Sequence, residues 1–306
     1  MFKKITAFFA ALIFISVWIP PGPPAAANGA QTALKGKTVI LDAGHGRSTT
    51  NTYAGYDEQL TMLKLAQKIK PLLEARGATV HMTRPTQNDV SLYIRAALIN
   101  KWALQAVQES RRVKLRETRS AAIAAYLTKE IKELDGLIGI TQSIIDNPKK
   151  NAPVYMNTPY SSKRKINSDW KRIFEYENDP AVYNSFLVIS LHSNATGKPI
   201  NTSANGADMF IASSSAYYSG YSSLRLSGLF GDILLNRISP LGIKRNKVNS
   251  SNLLMVREHN VPGVLAENGF HTNKSDRSKL MSDAFLNKLA TAYADAVTDY
   301  FANTGK

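Results

Sequence analysis

The run from Phe186 to Leu191 is apolar at all but one position, a composition typical of a β-strand that is buried on both faces of a sheet. Further strand candidates lie at residues 38–42, 79–83, 207–211, 253–256 and 264–266. Apolar residues at helical spacing occupy stretches between them, at residues 60–76, from residue 90 onward, at 219–237 and at 283–301. This alternation predicts an α/β fold of three layers, in which a central, mostly parallel mixed sheet of about six strands is flanked by helices.

Residues 101–178 interrupt that alternation, since they contain no good strand candidate. An apolar stripe at helical spacing runs from Ile123 to Ile138, whereas residues 147–168 are polar, basic and loop-like. We therefore predict a helical insertion over 101–178 within a single domain. Two interpretations of the insertion stay open: a solvated excursion that packs its apolar stripe on the domain, or a gate or docking element for a partner.

The N-terminus has the three parts of a secretory signal. Residues 1–4 carry two lysines, residues 5–19 are almost wholly apolar, and prolines and small residues follow up to Ala30. The apolar stretch is shorter than a typical transmembrane helix. The pattern predicts a signal peptide over 1–27 and a linker over 28–36, with an uncleaved N-terminal anchor as the alternative. Both interpretations make the protein an exported one, located in the periplasm or in the cell wall and extracellular space.

The absence of cysteine from all 306 residues excludes disulfide bonds, thiolate metal sites and a catalytic cysteine. Any metal must therefore be held by histidine and carboxylate. The 38 Lys and Arg residues against 23 Asp and Glu give a formal net charge of +15, which favours anionic partners such as anionic lipids or wall polymers. Nucleic acid is the less favoured partner, because the chain is predicted to be exported and lacks a basic–aromatic recognition motif.

Two of the five histidines come at the ends of predicted strands, His45 in Asp42-Ala43-Gly44-His45-Gly46 and His192 in Ser190-Leu191-His192-Ser193-Asn194. The carboxyl ends of parallel strands meet at one edge of a sheet, where ligands and catalytic groups gather. Either histidine alone is more simply explained as a structural residue. The pair, each beside small residues, favours a shared metal site.

Two carboxylates are candidates to complete such a site. Glu58 stands at the start of a predicted helix, where it is either a metal ligand or a solvated residue that suits the helix dipole, and Asp57 is its local competitor. Glu267 follows the apolar strand 264–266. A charged residue at the end of a buried strand destabilises the fold unless it is paired or has a functional role. We therefore interpret Glu267 as a candidate general base.

Together these segments resemble the zinc-dependent N-acetylmuramoyl-L-alanine amidases of the Amidase_3 type, which are bacterial cell-wall hydrolases. The motifs that carry the resemblance are residues 39–46, 58–60, 80–84 with Arg95 and Asn100 downstream, 188–195 and 262–273. The resemblance implies a catalytic domain over 37–303. The chain departs from the family at Ala43, where proline is usual, and at Arg47, which replaces a common glycine. These departures concern the shape of the loop around His45.

The resemblance implies that His45, Glu58 and His192 bind Zn²⁺ and that Glu267 acts as general base. The implied reaction is hydrolysis of the amide bond between N-acetylmuramic acid and L-alanine in peptidoglycan. Alternatives are another zinc peptidase or amidase that acts on cell-wall peptides, and a catalytically silent wall-binding or regulatory homologue. A silent homologue is expected to have lost at least one of the four residues, and none is lost.

Some amidases of this type hold an inserted helix over the zinc until an activator displaces it, so the resemblance makes 101–178 a candidate site for an activator protein. Asn194 is expected to support the loop around His192. Arg257 is either a partner for a carboxylate of the stem peptide or an ordinary surface residue. The other histidines are expected in a strand (His81), in a surface loop (His259) and four residues after Glu267, with lining of the cleft as one alternative (His271).

Overall fold

The structure is a computed structural model that describes residues 32–49, 51–158, 165–213 and 217–304. The predicted signal peptide and most of the predicted linker lie outside the described residues. Each helix among the described residues is too short or too polar to span a bilayer.

The strands, in chain order, are β1 (Thr38–Ala43), β2 (Thr52–Tyr53), β3 (Tyr56–Asp57), β4 (Thr79–Met82), β5 (Phe186–Asn194), β6 (Ala207–Ala212), β7 (Arg245–Ser251) and β8 (Gly263–Phe270). The helices are α1 (Glu58–Glu74), α2 (Leu92–Glu117), α3 (Ala121–Asp146), α4 (Pro148–Tyr155), α5 (Ser168–Tyr176), α6 (Pro180–Tyr183), α7 (Leu224–Ile238), α8 (Leu254–Arg257), α9 (Lys274–Leu280) and α10 (Asp283–Thr304).

Six strands form the central sheet, in the order β4-β1-β5-β8-β6-β7, and β2 pairs with β3 in a separate hairpin. Every neighbouring pair in the central sheet is parallel except β6 and β8, which run antiparallel. The prediction of a mostly parallel mixed sheet of about six strands is therefore confirmed. Parallel strands occur where both faces of a sheet are covered, and here helices cover both faces.

The two faces of the sheet belong to two hydrophobic clusters, because successive side chains of a strand point to opposite sides. Val39 and Leu41 of β1 pack in one cluster with helices α1, α7 and α10. Ile40, between them in the sequence, packs in the other cluster with helices α2, α3 and α5. The result is the predicted three-layer arrangement, helices on sheet on helices.

Helices α2 and α3 each have 26 residues, which corresponds to a length of about 39 Å, and they form an antiparallel pair. Ser91 and Ser120 cap their first turns by accepting hydrogen bonds from Ile94 N and Ile123 N. The described part of 101–178 contains helices and no strand, as predicted. Helix α2 continues through residue 101 without a break, and the status of 101–178 as an insertion stays a prediction.

Two local predictions are wrong, and one strand was missed. Residues 253–256 were expected as a strand, but 254–257 form α8; a run of four apolar residues fits a buried helical turn as well as a strand. Residues 148–155, expected as loop, form α4, whose start at Pro148 is capped by the side chain of Asn147. Strand β7 was not predicted because it is polar, which an edge strand tolerates.

Candidate metal centre

The four predicted site residues come together at the carboxyl edge of β1, β5 and β8. His45 follows the end of β1, and His192 and Glu267 are adjacent residues of the parallel pair β5–β8. Glu58 is the first residue of α1, which begins immediately after the β2–β3 hairpin. The strand register and the start of one helix thus place four side chains that are far apart in the sequence.

Three of these side chains are within reach of one ion. His45 Nε2 and His192 Nδ1 each lie 3.1 Å from Glu58 Oε1, and the candidate ligand atoms lie within 4.8 Å of one another. The two imidazole rings have centroids 4.9 Å apart and are nearly perpendicular. This cluster could hold a metal ion. Asp57, the competing carboxylate, instead accepts a hydrogen bond from Leu60 N as the N-cap of α1.

Contacts within the cluster shift the pKa values of Glu58 and His45 towards their charged forms. Burial alone would raise the pKa of Glu58, but the hydrogen bonds and charges of His192 and His45 lower it overall. Burial alone would lower the pKa of His45, but its contact with Glu58 and a hydrogen bond to the Thr49 backbone raise it overall. The Thr49 contact also fixes the orientation of the ring, as is common for metal-binding histidines.

A cavity of about 650 Å³ opens over the cluster. Its lining includes polar side chains, among them Asn51 and Asn194, and six apolar side chains: Val90, Leu92, Leu253, Leu254, Met255 and Leu265. None of the described residues of 101–178 contributes to this lining. The described part of the helical segment therefore does not form a lid over the cluster.

Glu267 stands on the wall of the same cavity. Its Oε2 is buried and has no hydrogen-bond partner among the described residues. Burial, and then the carboxylates of Glu58 and Asp208, raise the pKa of Glu267 well above its usual range. A carboxyl group with an oxygen free of hydrogen-bond partners and a raised pKa is suited to exchange a proton with a molecule in the cavity.

The loop that carries His45 is shaped by sterics and by two buried arginines. A methyl group on Gly44 would stand 2.4 Å from His192 Cε1, so only glycine lets the imidazole approach. His45 itself has a φ of 59°, in the left-handed region. Arg84 donates to the Gly44 oxygen at 2.8 Å and to the Gln59 oxygen at 2.9 Å, which ties the His45 loop to the start of α1.

Sequence reasoning did not assign a role to these arginines, although Arg84 and Arg95 belong to the motifs that carried the resemblance. Arg95 pairs with Asp42 and donates to the His45 backbone oxygen. The available signal was the acidic residue within the apolar strand 38–42, since a buried charge needs a partner.

The remaining predicted residues have mixed outcomes. Asn194 lies beside the cavity, and its Oδ1 accepts a hydrogen bond from Ala195 N at 2.9 Å, in agreement with a role in supporting the loop. Both interpretations of Arg257 are wrong, because the residue is buried and paired with Glu258 at 2.9 Å. His81 lies in β4, as predicted.

The two last histidines are both buried. His259 was expected in a surface loop, and this prediction is wrong because the ring packs inside and its Nε2 lies 2.9 Å from the Met255 oxygen. His271 lies behind the cluster, where Nδ1 is 3.0 Å from Ser193 Oγ and the ring stacks on Tyr56. It is absent from the described lining of the cavity, so lining the cleft is not its role.

Comparisons with known proteins agree with this geometry. The model of the family described as N-acetylmuramoyl-L-alanine amidase, Amidase_3, matches residues 39–107 and 118–299. The chain is 46% identical over 63 residues to the probable cell wall amidase LytH of Staphylococcus saprophyticus. The matched segment covers 19% of this chain and 22% of LytH. The chain thus spans about a fifth of the length of this curated relative.

Two solved structures share the fold. The N-acetylmuramyl-L-alanine amidase Ami1 from Mycobacterium smegmatis aligns with a TM-score of 0.54 at 15% identity, over 88% of this chain and 98% of Ami1. The CwlD amidase from Clostridioides difficile, solved in complex with the GerS lipoprotein, aligns with a TM-score of 0.50 at 16% identity, over 87% of this chain and 98% of CwlD. Since the family model matches far more than half of the sequence, the chain belongs to the N-acetylmuramoyl-L-alanine amidase family Amidase_3.

Proposed function

We propose that the protein hydrolyses the amide bond between N-acetylmuramic acid and L-alanine in peptidoglycan. In this proposal His45, Glu58 and His192 hold Zn²⁺, and Glu267 is the general base. The observation that carries the proposal is the contact of both imidazoles with Glu58 Oε1, at 3.1 Å each, in a cavity that Glu267 also lines. Family membership supplies the reaction class.

The donor set fits zinc. Two imidazole nitrogens and one carboxylate oxygen are a usual ligand set of catalytic zinc sites, which keep a fourth position open. The hydrogen bond between His45 and the Thr49 backbone leaves Nε2 facing the cluster. When bound, zinc supplies Lewis-acid polarisation of the scissile carbonyl and acidifies a water molecule.

Glu267 performs the proton transfers in the proposed reaction. Its carboxylate takes a proton from the attacking water while the water oxygen forms a bond to the carbonyl carbon. The carbon–nitrogen bond then breaks, and Glu267 passes the proton to the alanine nitrogen. The products are the lactyl carboxylate of the glycan and a peptide with a free amino terminus. Burial and the carboxylates of Glu58 and Asp208 raise the pKa of Glu267, and a divalent metal ion held by His45, Glu58 and His192 would oppose that shift and favour the ionised form that a base requires.

Location and partners follow from the same proposal. The predicted signal peptide and the family relationship support export to the cell wall. The net charge, +15 for the full sequence and +13 without Lys3 and Lys4 of the signal peptide, supports retention on anionic wall polymers. The described residues of segment 101–178 do not line the cavity, and the CwlD amidase is solved in complex with a lipoprotein. We therefore assign segment 101–178 as the docking site of an activator protein.

The proposal is tested by digestion of purified peptidoglycan with the zinc-loaded protein and with Glu267→Gln. The native protein is expected to release stem peptides that begin with L-alanine. The variant is expected to cleave about 10²–10⁴-fold more slowly while it still binds zinc. Cleavage inside the stem peptide instead of at its amino end would favour a different wall peptidase. Wall binding without any cleavage would favour a catalytically silent homologue.

A further inference from the structure

Asn51 contacts the carboxylate oxygen of Glu58 that the two histidines do not contact. Asn51 Nδ2 donates to Glu58 Oε2 at 2.9 Å, and the Asn51 backbone oxygen accepts a hydrogen bond from Glu58 N at 3.1 Å. Asn51 thus holds Glu58 through its side chain and its backbone at once.

A two-stranded hairpin brings these residues together. Asn51 directly precedes β2 and Glu58 directly follows β3, and the hairpin pairs Thr52 with Asp57 and Tyr53 with Tyr56. The two turn residues, Ala54 and Gly55, have φ values of 49° and 80°. Positive φ at both central positions is typical of the tight two-residue turn that closes a hairpin. The turn therefore determines that the residues flanking the hairpin are adjacent.

The contact with Asn51 completes the anchoring of the Glu58 carboxylate. Its Oε1 accepts a hydrogen bond from Ser193 N at 2.9 Å and faces His45 and His192. Its Oε2 is bound by Asn51. With a donor on each oxygen, the carboxylate is held in one rotation about its terminal bond. Without the Asn51 amide, Oε2 loses its hydrogen bond and rotation of the carboxylate is restrained only through Oε1.

We propose that Asn51 is a positioning residue that fixes Glu58 as a ligand through one oxygen and thereby sets the affinity of the site for zinc. The inference rests on the proposed function, since it takes the cluster to be a zinc site. Asn51 acts through Glu58. Groups that orient metal ligands in this way typically contribute 10–100-fold to metal affinity.

The test measures Zn²⁺ affinity of the metal-free proteins by competition with a chromophoric chelator. Asn51→Ala is expected to bind zinc about 10–100-fold more weakly than the native chain. The matched control is Gln108→Ala, which also removes a carboxamide that donates to a carboxylate, Asp135 Oδ1 at 2.6 Å, but lies in α2 away from the cluster. The control is expected to bind zinc as the native chain does. The visible spectrum of the Co²⁺-loaded protein is expected to change in Asn51→Ala only.

A double-mutant cycle separates positioning from general damage to the loop. In a Glu58→Ala background, Asn51→Ala is expected to cause no further loss of affinity, because the residue through which it acts is gone. Asn51→Ser is a second variant, whose side chain is too short for the contact. We expect the same loss of zinc affinity as in Asn51→Ala. The melting temperature of the metal-free variant shows whether the fold is intact.

The outcomes distinguish the two proposals. If the native chain binds zinc and Asn51→Ala binds it equally well, the inference is overturned and the proposed function stands. An equal loss in the Glu58→Ala background would assign Asn51 a merely structural role and also overturn the inference. Failure of the native chain to bind zinc would overturn the proposed function, and the inference with it.

Discussion

The carboxylate of Asp42 and the guanidinium of Arg95 lie 3.0 Å apart, and both side chains are almost wholly buried. Ser190 Oγ donates to Asp42 Oδ2 at 2.6 Å, and the Thr83 hydroxyl donates to Oδ1. Arg95 also donates to the backbone oxygen of His45. Asp42 and Arg95 therefore connect β1 and β5, and the residue that follows β4, to the loop that carries a candidate metal ligand.

Removal of the cation from this pair is expected to destabilise the whole domain. Arg95→Met leaves Asp42 as a buried charge without its ion-pair partner, which typically costs about 3–5 kcal/mol. The free energy of unfolding, measured in urea without metal, reports the loss. The double variant Asp42→Asn with Arg95→Met is expected to recover part of the stability, since no charge is then left buried. A loss below about 1 kcal/mol for Arg95→Met would contradict this account.

Gly44 is predicted to be indispensable for metal binding. A β-carbon at this position would lie 2.4 Å from Cε1 and 2.6 Å from Nε2 of His192, so Gly44→Ala must displace the imidazole. We expect at least about a tenfold loss of zinc affinity. Gly228→Ala is the matched control, because a methyl group there meets nothing within 4 Å on helix α7. Native zinc affinity in Gly44→Ala would show that His192 is not a ligand.

Zinc is expected to raise the melting temperature of the native chain. His45, Glu58 and His192 converge only in the folded state, so the ion binds the folded chain in preference to the unfolded one. At a free zinc concentration of 100 times the dissociation constant, the stabilisation is about 2.7 kcal/mol. Differential scanning calorimetry with added zinc, and again after chelation, measures the shift. The Glu58→Ala variant is expected to show little shift, and an equal shift in both proteins would point to binding elsewhere.

Glu177 is predicted to make stability depend on pH. The residue is buried at the end of α5, with Oε2 accepting a hydrogen bond from Asn260 N at 2.5 Å and Oε1 without a partner among the described residues. Burial raises the pKa of Glu177 from 4.5 to about 8. The folded state thus retains a proton that the unfolded state loses between these values. Stability from this group is highest at low pH, falls as pH rises through the window, and stays low above pH 8.

The isosteric variant Glu177→Gln isolates this effect, since its amide resembles the protonated acid. Its advantage in unfolding free energy over the native chain is expected to be small at pH 5 and to reach a few kcal/mol at pH 9. Urea unfolding at pH 5, 7 and 9 provides the comparison. An advantage that does not change with pH would contradict the prediction.

The sequence predicted the sheet and the positions of His45 and His192 because these signals are local. The apolar run from Phe186 to Leu191 indicates a buried strand without reference to the rest of the chain. His45 and His192 stand at the ends of such runs, and the general arrangement of parallel strands places them at one edge. Glu58 and Glu267 were assigned with help from the family motifs.

The features that the sequence did not predict depend on tertiary contacts, which a periodic sequence pattern does not show. Strand β7 is polar because it lies at an edge, and α8 is helical although its composition suits a strand equally well. The ring of His259 is buried by packing from other elements. The contact of Asn51 with Glu58 requires a hairpin of only two residues per strand, which is too short to give a periodic signal.

His192 of β5 and Glu267 of β8 are opposite each other in the sheet, so their relative position depends on the register of the two strands. Side chains alternate along a strand, so a shift of β8 by a single residue would turn the carboxylate towards the opposite helical layer. A chain that has collapsed with this misalignment would carry every residue of the site and still be inert. For an enzyme proposed to cut the wall of its own cell, activity would then begin only when the middle of the sheet has formed correctly.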